Sequence, residues 1–316
     1  MERNTARVVC LLGPTGTGKT GAALNLAEGL DCEIINVDSR QVYRDFPIIT
    51  AQPSPKDLER CPHRLYGFLP SDSRIDAGRF AELAEEAIAA SLNAGRLPVL
   101  VGGTGLYVDA VLYGLAPMPE VPGEVRDQVQ KEGERLGPER LHQELEKVDP
   151  GAARAIHPRD RQRVTRALEV CRASGKPISW WQQRSQKGEP KYHCLKLGLY
   201  EQLSTLEPRL WQRIERMIEA GAFREAELAW QRCPDSSAPA WSGIGCAEML
   251  QVLHSRLSWS EAKARWFRRT RQYAKRQLTW FRKDEEIVWL PVAEAAKAVP
   301  LVRQWLEESS WLSASR

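Results

Sequence analysis

The chain has 316 residues, of which 42% are hydrophobic and 27% charged, with a formal net charge of +4. This is the composition of an ordinary globular protein, long enough for one large domain or a core with a smaller inserted one. No apolar run approaches the ~20 residues of a membrane span, and residues 8–12 are too short for a signal-peptide core, so a cytoplasmic location away from membranes is expected. The seven cysteines form no C-x-x-C pair and have no zinc spacing, which reads as reduced, mostly buried thiols.

In chain order, residues 7–12 read as a buried strand ending at Gly13, and 20–30 have helical spacing. A second apolar run, 33–37, ends at Asp38. Residues 79–94 read as a helix with Gly95 just past its end, and 97–101 as another buried strand ending at Gly102-Gly103. Strands alternating with helices argue for a parallel α/β sheet. Beyond Ala116 the texture changes. Pro117, Pro119 and Pro122 break the chain, and helical patterns follow at 124–136, 139–147 and 160–173. Residues 191–199 read as a strand returning to the sheet, and the last hundred residues as mainly helical, with Ser258-x-x-Glu261 opening a long basic helix. The expected organisation is a core over 1–116, a helical insertion over 117–192, and a return to the core with basic helices over 193–316.

Charge is concentrated in two places. Residues 256–283 hold ten Lys/Arg and one acid, Glu261, and residues 154–166 hold five Arg and one acid, Asp160. Such segments in a near-neutral protein point to a polyanionic partner.

Gly13-Pro14-Thr15-Gly16-Thr17-Gly18-Lys19-Thr20 fits G-x-x-x-x-G-K-[ST], with a strand before it and a helix after it. The glycines let backbone amides wrap a phosphate, the helix N-terminus adds its dipole, Lys19 neutralises charge and Thr20 is suited to ligate Mg²⁺. The loop identifies a phosphate chain without naming the reaction; ATPases, kinases and pyrophosphate-releasing transferases all use one. Asp38 ends the one apolar strand that closes cleanly on an acid, where open α/β sheets hold their ligands. A metal ligand, a general base and a turn-capping aspartate all suit that position.

Further segments accompany these in order. They are Asp38-Ser39-Arg40-Gln41-Val42-Tyr43; Pro62-His63-Arg64-Leu65; Gly102-Gly103-Thr104-Gly105-Leu106-Tyr107; Asp149-Pro150; Ile156-His157-Pro158 with Asp160-Arg161-Gln162-Arg163; Arg166-Ala167-Leu168-Glu169-Val170; and Thr270-Arg271-Gln272-Tyr273-Ala274-Lys275-Arg276-Gln277 with Trp280-Phe281-Arg282. Together with the phosphate loop this set, from about 13 to 282, resembles the tRNA dimethylallyltransferases (tRNA isopentenyltransferases), in the bacterial form without a zinc-finger extension. The resemblance implies a P-loop NTPase-like parallel sheet core with a helical insertion that grips the anticodon stem-loop. It implies transfer of a dimethylallyl group from dimethylallyl pyrophosphate to the exocyclic amine of the adenine 3′-adjacent to the anticodon, with Mg²⁺ as cofactor and the protein acting as a monomer. Asp38 is then the general base and Thr104 orients the amine. Leu206-x-x-Arg209-Leu210-x-x-Arg213-Ile214 matches a pattern whose second arginine, Arg213, contacts pyrophosphate. The implied tRNA contacts are Asp38, Ser39, Arg40 and Gln41; Arg126; Gln162, Arg163, Val164, Thr165 and Arg166; and Arg271, Lys275 and Arg276.

The chain departs from the family pattern twice. Ile49-Thr50-Ala51-Gln52-Pro53 stands for Gly-Thr-Ala-Lys-Pro, and Gly243-Ile244-Gly245-Cys246-Ala247-Glu248 for Gly-Ile-Gly-Tyr-Lys-Glu. Both bear on tRNA affinity and choice more than on chemistry. Three other readings fit part of this set. A prenyltransferase of free adenine nucleotides would need no RNA grip. A small-molecule P-loop kinase would bind ATP. A non-catalytic RNA-binding protein would have no use for Lys19, Thr20 and Asp38 together.

Overall fold

The computed structural model describes residues 6–115, 118–184 and 188–314, with side chains through 308. The chain divides into two compact units, one made of residues 1–112 and 190–316 and the other of residues 113–189.

The first unit is built on six strands: β1 (Arg7–Leu12), β2 (Cys32–Asn36), β3 (His63–Arg64), β4 (Leu97–Gly102), β5 (His193–Tyr200) and β6 (Val288–Pro291). All pairs are parallel, in the order β3-β2-β4-β1-β5-β6. β1, β2 and β4 are almost wholly buried, as parallel strands covered on both faces must be. This is why they appear in the sequence as mainly apolar runs, with Glu33 and Asn36 as the polar residues of β2. Helix α1 (Lys19–Gly29) follows β1, α2 (Pro55–Arg60) precedes β3, α3 (Ala77–Asn93) packs on β2 and β4, and α4 (Gly105–Tyr113) follows β4. Val9, Leu11, Leu24, Leu26, Ile34, Val99 and Leu197 share a core with Val302 from the last helix.

The register does the positioning. Leu12 stands beside Gly102 on one side and Gly198 on the other, and Asn36 beside Val101. The loops after β2, β4, β1 and β5 therefore leave the sheet in one row at its carboxyl edge. β1 lies between β4 and β5, so the strand order reverses there, at the position where such sheets bind ligands.

The second unit contains α5 (Gly123–Val148), α6 (Pro150–Ala155), α7 (Arg161–Ser174) and α8 (Ile178–Arg184). The two helices expected at 124–136 and 139–147 are the halves of α5, which bends at Gly137 (φ 77°) ahead of Pro138. Buried Asp149 accepts from the amides of Ala152 and Ser179, both at 2.9 Å, and so caps α6 and ties down α8. Val129, Leu141, Leu145, Val164, Leu168 and Val170 form this unit's core. The sequence expectation set the insertion at 117–192. Its first boundary falls on 116–117, outside the described residues. At its other end the Lys191 amide already bonds the Leu112 carbonyl and His193 pairs with Arg7, so the chain has rejoined the first unit by residue 190.

After β5 come α9 (Leu203–Glu219), α10 (Ala222–Arg232), α11 (Cys246–Leu253), α12 (Trp259–Phe281) and α13 (Ala298–Ala314). The expected capping box opens α12: Ser258 Oγ accepts from the Glu261 amide at 3.4 Å and Glu261 Oε2 from the Ser258 amide at 2.9 Å. Ala262, Trp266, Thr270, Ala274, Gln277 and Phe281 form its buried face. Among the described residues, no helix is long and apolar enough to cross a membrane.

Candidate active site

The glycine loop carries three residues with positive φ: Gly13 (136°), Gly16 (87°) and Gly18 (80°). At Gly13 only hydrogen fits, because a Cβ would lie 2.3 Å from the Leu199 carbonyl oxygen on β5. Thr17 is buried and its hydroxyl donates to the Pro14 carbonyl at 2.9 Å, bracing the loop from within. Lys19 Nζ donates to the carbonyls of Gly13 (2.9 Å) and Pro14 (2.8 Å). Gly18 starts α1 with no side-chain cap, leaving the first amides of the helix to bind an anion. Thr20 is exposed beside Lys19.

Asp38 is set by its neighbours. Fully buried Asn36 accepts from the Asp38 amide at 2.8 Å and donates to the carbonyls of Asp38 (3.0 Å) and Leu65 (2.9 Å). Asp38 Oδ1 accepts from the Arg40 amide at 2.8 Å. Ser39 donates its amide to Thr104 Oγ1, so the Asp38 turn is fastened to the turn after β4. A Cβ on Gly102 would come within 2.4 Å of Val37 and 2.9 Å of the Asp38 amide nitrogen. Glycine there is what lets Asp38 and Thr104 lie side by side.

Electrostatics tie Asp38 to the phosphate loop. Burial pulls the Lys19 ammonium down to about 8; the Asp38 charge opposes that shift and Arg213 adds to it. Burial also lowers Arg213, again opposed by Asp38. Lys19, Asp38 and Arg213 thus share one field, with Arg213 presented from α9. Burial raises the Tyr66 and Tyr273 phenols, and Asp38 raises both further, while a hydrogen bond with Thr104 partly offsets the rise at Tyr273. Both stay protonated and can only donate or accept as neutral hydroxyls.

Asp38, Thr104, Arg213 and the loop 13–20 therefore converge in the first unit. The other candidates have varied settings. Arg40 reaches Ser242 Oγ at 2.9 Å, and the Gln41 amide donates to the carbonyls of Thr50 (3.1 Å) and Ala51 (2.6 Å), so both side chains are engaged within the protein. Arg126, Gln162 and Arg163 are exposed in the second unit, with Thr165 and Arg166 half-buried. Val164 is the exception: it is 1% exposed and packs in that unit's core, so its side chain is not available to RNA, contrary to the sequence reading. On α12, Arg271 is ion-paired with Glu207, and Lys275 and Arg276 are exposed. The two sequence departures are absorbed by packing. Cys246 is buried beside Arg40 and Glu225, and the Gln52 amide donates to the Tyr43 carbonyl at 2.8 Å.

Sequence reasoning passed over two residues. Asn36 positions Asp38. Gln277, 4% exposed, accepts from the Thr15 amide and donates to the Gly103 carbonyl, both at 2.9 Å. Each is a polar side chain on a mainly apolar buried surface, but β2 also buries Glu33 and α12 also buries Thr270, so polarity alone does not single them out.

A sequence model of the family described as IPP transferase matches residues 41–284. A tRNA dimethylallyltransferase of Maridesulfovibrio salexigens is 50% identical over 301 residues, 95% of this chain and 98% of that protein. That of Desulfovibrio desulfuricans is 51% identical, covering 90% of this chain and 88% of the relative. Among solved structures, the tRNA isopentenylpyrophosphate transferase of Bacillus halodurans superposes with a TM-score of 0.72 at 32% identity, over 98% of this chain and 100% of that one. A eukaryotic dimethylallyltransferase captured acting on tRNA superposes with a TM-score of 0.74 at 29% identity, over 91% and 74%. The chain belongs to the IPP transferase family, that of the tRNA dimethylallyltransferases.

Proposed function

We propose that the protein acts as a cytoplasmic monomer and transfers a dimethylallyl group from dimethylallyl pyrophosphate to the exocyclic amine of the adenine 3′-adjacent to the anticodon. The observation that carries the reading is that the Asp38 turn is fastened to the turn after β4 by the Ser39 amide on Thr104 Oγ1, and that same turn is joined to the phosphate loop through Gln277, which bridges Gly103 and Thr15.

The amine's lone pair is delocalised into the adenine ring, so attack needs its proton removed as the new C–N bond forms. Asp38 takes that proton, an assistance typically worth ~10²–10⁴-fold. Thr104, bonded to Ser39 next to Asp38, orients the amine. As the C–O bond to the leaving group breaks, negative charge grows on pyrophosphate. Lys19, Arg213 and the α1 amides meet that charge with groups already in place. Among the described residues no cluster of three His, Cys, Asp or Glu can hold a metal. A hydroxyl at Thr20 with phosphate and water oxygens nonetheless suits Mg²⁺, which favours substrate phosphates over all-protein cages. Bound there, Mg²⁺ would neutralise pyrophosphate charge.

The target base must leave its stack, at a cost of a few kcal/mol. Phosphate contacts by Arg126, Arg163 and Arg166 and by Lys275 and Arg276 offset it.

The test is transfer of labelled dimethylallyl pyrophosphate to unmodified tRNA and, in parallel, to AMP. Label in tRNA alone supports the proposal. Label in AMP reassigns the protein to free nucleotides, and label in neither rejects both.

A further inference from the structure

We propose that Gln277 is a positioning residue that clamps the pyrophosphate loop into its binding shape by joining the Thr15 amide to the Gly103 carbonyl. The inference rests on reading residues 13–20 as the donor's pyrophosphate site.

The clamp uses both ends of one carboxamide. Oε1 accepts from Thr15 N and Nε2 donates to Gly103 O, each at 2.9 Å. The partners lie 262 and 174 residues away in the chain. Glutamine is suited to this because a planar amide presents one acceptor and two donors without charge. Its position on the helix makes the arrangement costly to lose. Gln277 falls on the buried face of α12, between Ala274 and Phe281. An apolar residue of similar size would fill the space but take the partner from the part-buried Thr15 N–H and leave the buried Gly103 carbonyl without this bond. Gly103 is matched to it, since a Cβ there would lie 2.0 Å from Nε2.

The neighbouring contacts show what the clamp adds. Lys19 and Thr17 hold the carbonyls of Gly13 and Pro14 from inside the loop. Gln277 supplies an anchor outside the loop, on the same turn that carries Thr104. An anion site whose amides are already fixed binds more tightly because less order remains to be imposed on binding.

Three measurements test this with the full-length protein and inorganic pyrophosphate as probe. Gln277→Met should raise the Kd for pyrophosphate about tenfold while leaving the Kd for tRNA unchanged. Gln277→Glu keeps the acceptor for Thr15 but turns a carboxylate oxygen on the Gly103 carbonyl. It should bind poorly at about pH 8 and approach wild type at about pH 6, where the buried acid regains a proton to donate. Taking each affinity relative to wild type at the same pH removes the titration of pyrophosphate itself. Amide hydrogen exchange of the peptide spanning 13–18, with no ligand added, should quicken about tenfold in Gln277→Met. Equal loss of pyrophosphate and tRNA binding, a pH-independent defect in Gln277→Glu, or unchanged exchange of the loop overturns the proposal. Wild type that binds no pyrophosphate overturns the donor reading instead, and loop exchange then still decides whether Gln277 is a clamp.

Discussion

Ser39 and Thr104, 65 residues apart, hold each other by two hydrogen bonds: the Ser39 amide donates to Thr104 Oγ1 at 3.0 Å, and the Thr104 hydroxyl donates to Ser39 Oγ at 3.3 Å. The pair fixes the Asp38 turn against the end of β4. Thr104→Val keeps the shape but leaves the Ser39 amide unpaired, a loss of about 1–3 kcal/mol. Turnover should fall about tenfold or more, and Thr104→Ser should retain most of it. Steady-state kcat with tRNA and donor both saturating distinguishes the two; equal rates for Val and Ser would remove Thr104 from the site.

Asp38→Asn keeps an oxygen for the Arg40 amide, which Asp38 Oδ1 now accepts, and removes the base. Turnover should drop by roughly 10²–10⁴-fold with tRNA affinity nearly unchanged. Single-turnover transfer alongside tRNA titration measures both. A variant with wild-type turnover would take the base role away from Asp38.

Lys19 should link donor binding to pH. Its free-protein value of about 8 lies below the ordinary 10.5 because the ammonium is buried. Above about pH 8 the side chain is mostly neutral, so pyrophosphate has to draw a proton with it. Affinity should decline as pH rises through that value, while Lys19→Arg, which stays charged, should decline less. Calorimetric titration from about pH 7 to about pH 10 checks this. Parallel profiles for the two proteins would contradict it.

Glu225 links stability to pH beneath the segment that follows Asp38. Its carboxylate accepts from the amides of Ile48 at 2.6 Å and Ile49 at 2.9 Å. Burial raises it from 4.5 to about 7, the two amides oppose the shift, and Asp45 adds to it. A raised folded value means that between about 4.5 and about 7 the native state holds the proton longer than the unfolded chain. Stability contributed by this group is complete below that window and is lost as pH rises through it. Wild type should therefore lose Tm relative to Glu225→Gln between about pH 5 and about pH 7.5. A constant difference across the range would show that the group does not titrate there.

The central architecture was legible because buried parallel strands leave mainly apolar runs: β1 and β4 do so almost without interruption, β2 despite Glu33 and Asn36, and β5 despite buried Lys196. β3 was not, with two residues, nor β6, with four residues of which Val288 is exposed. Gly13, Asp38 and Gly103 could be found because each follows directly on a strand that the sequence marks. Arg213 sits mid-helix on α9 and was reached only through resemblance. Val164 was misplaced because a motif read as a string of contacts ignores helical periodicity, which turns one residue in three or four inward. Asn36 and Gln277 have roles that depend on partners elsewhere in the chain, and no local pattern encodes those.

The location of β1 within the sheet has a consequence for how the protein is made. β1 can pair with β4 once residue 102 is synthesised, but its other edge is reserved for β5, which begins at His193. At ~5–20 residues per second, a ribosome takes on the order of five to twenty seconds to cover that interval. Through that time an apolar edge, Val8-Val9-Cys10-Leu11-Leu12, stays open for pairing with any other extended chain. Expression yield should therefore depend on elongation speed between residues 102 and 193 and on holdase chaperones, more than on the stability of the finished fold.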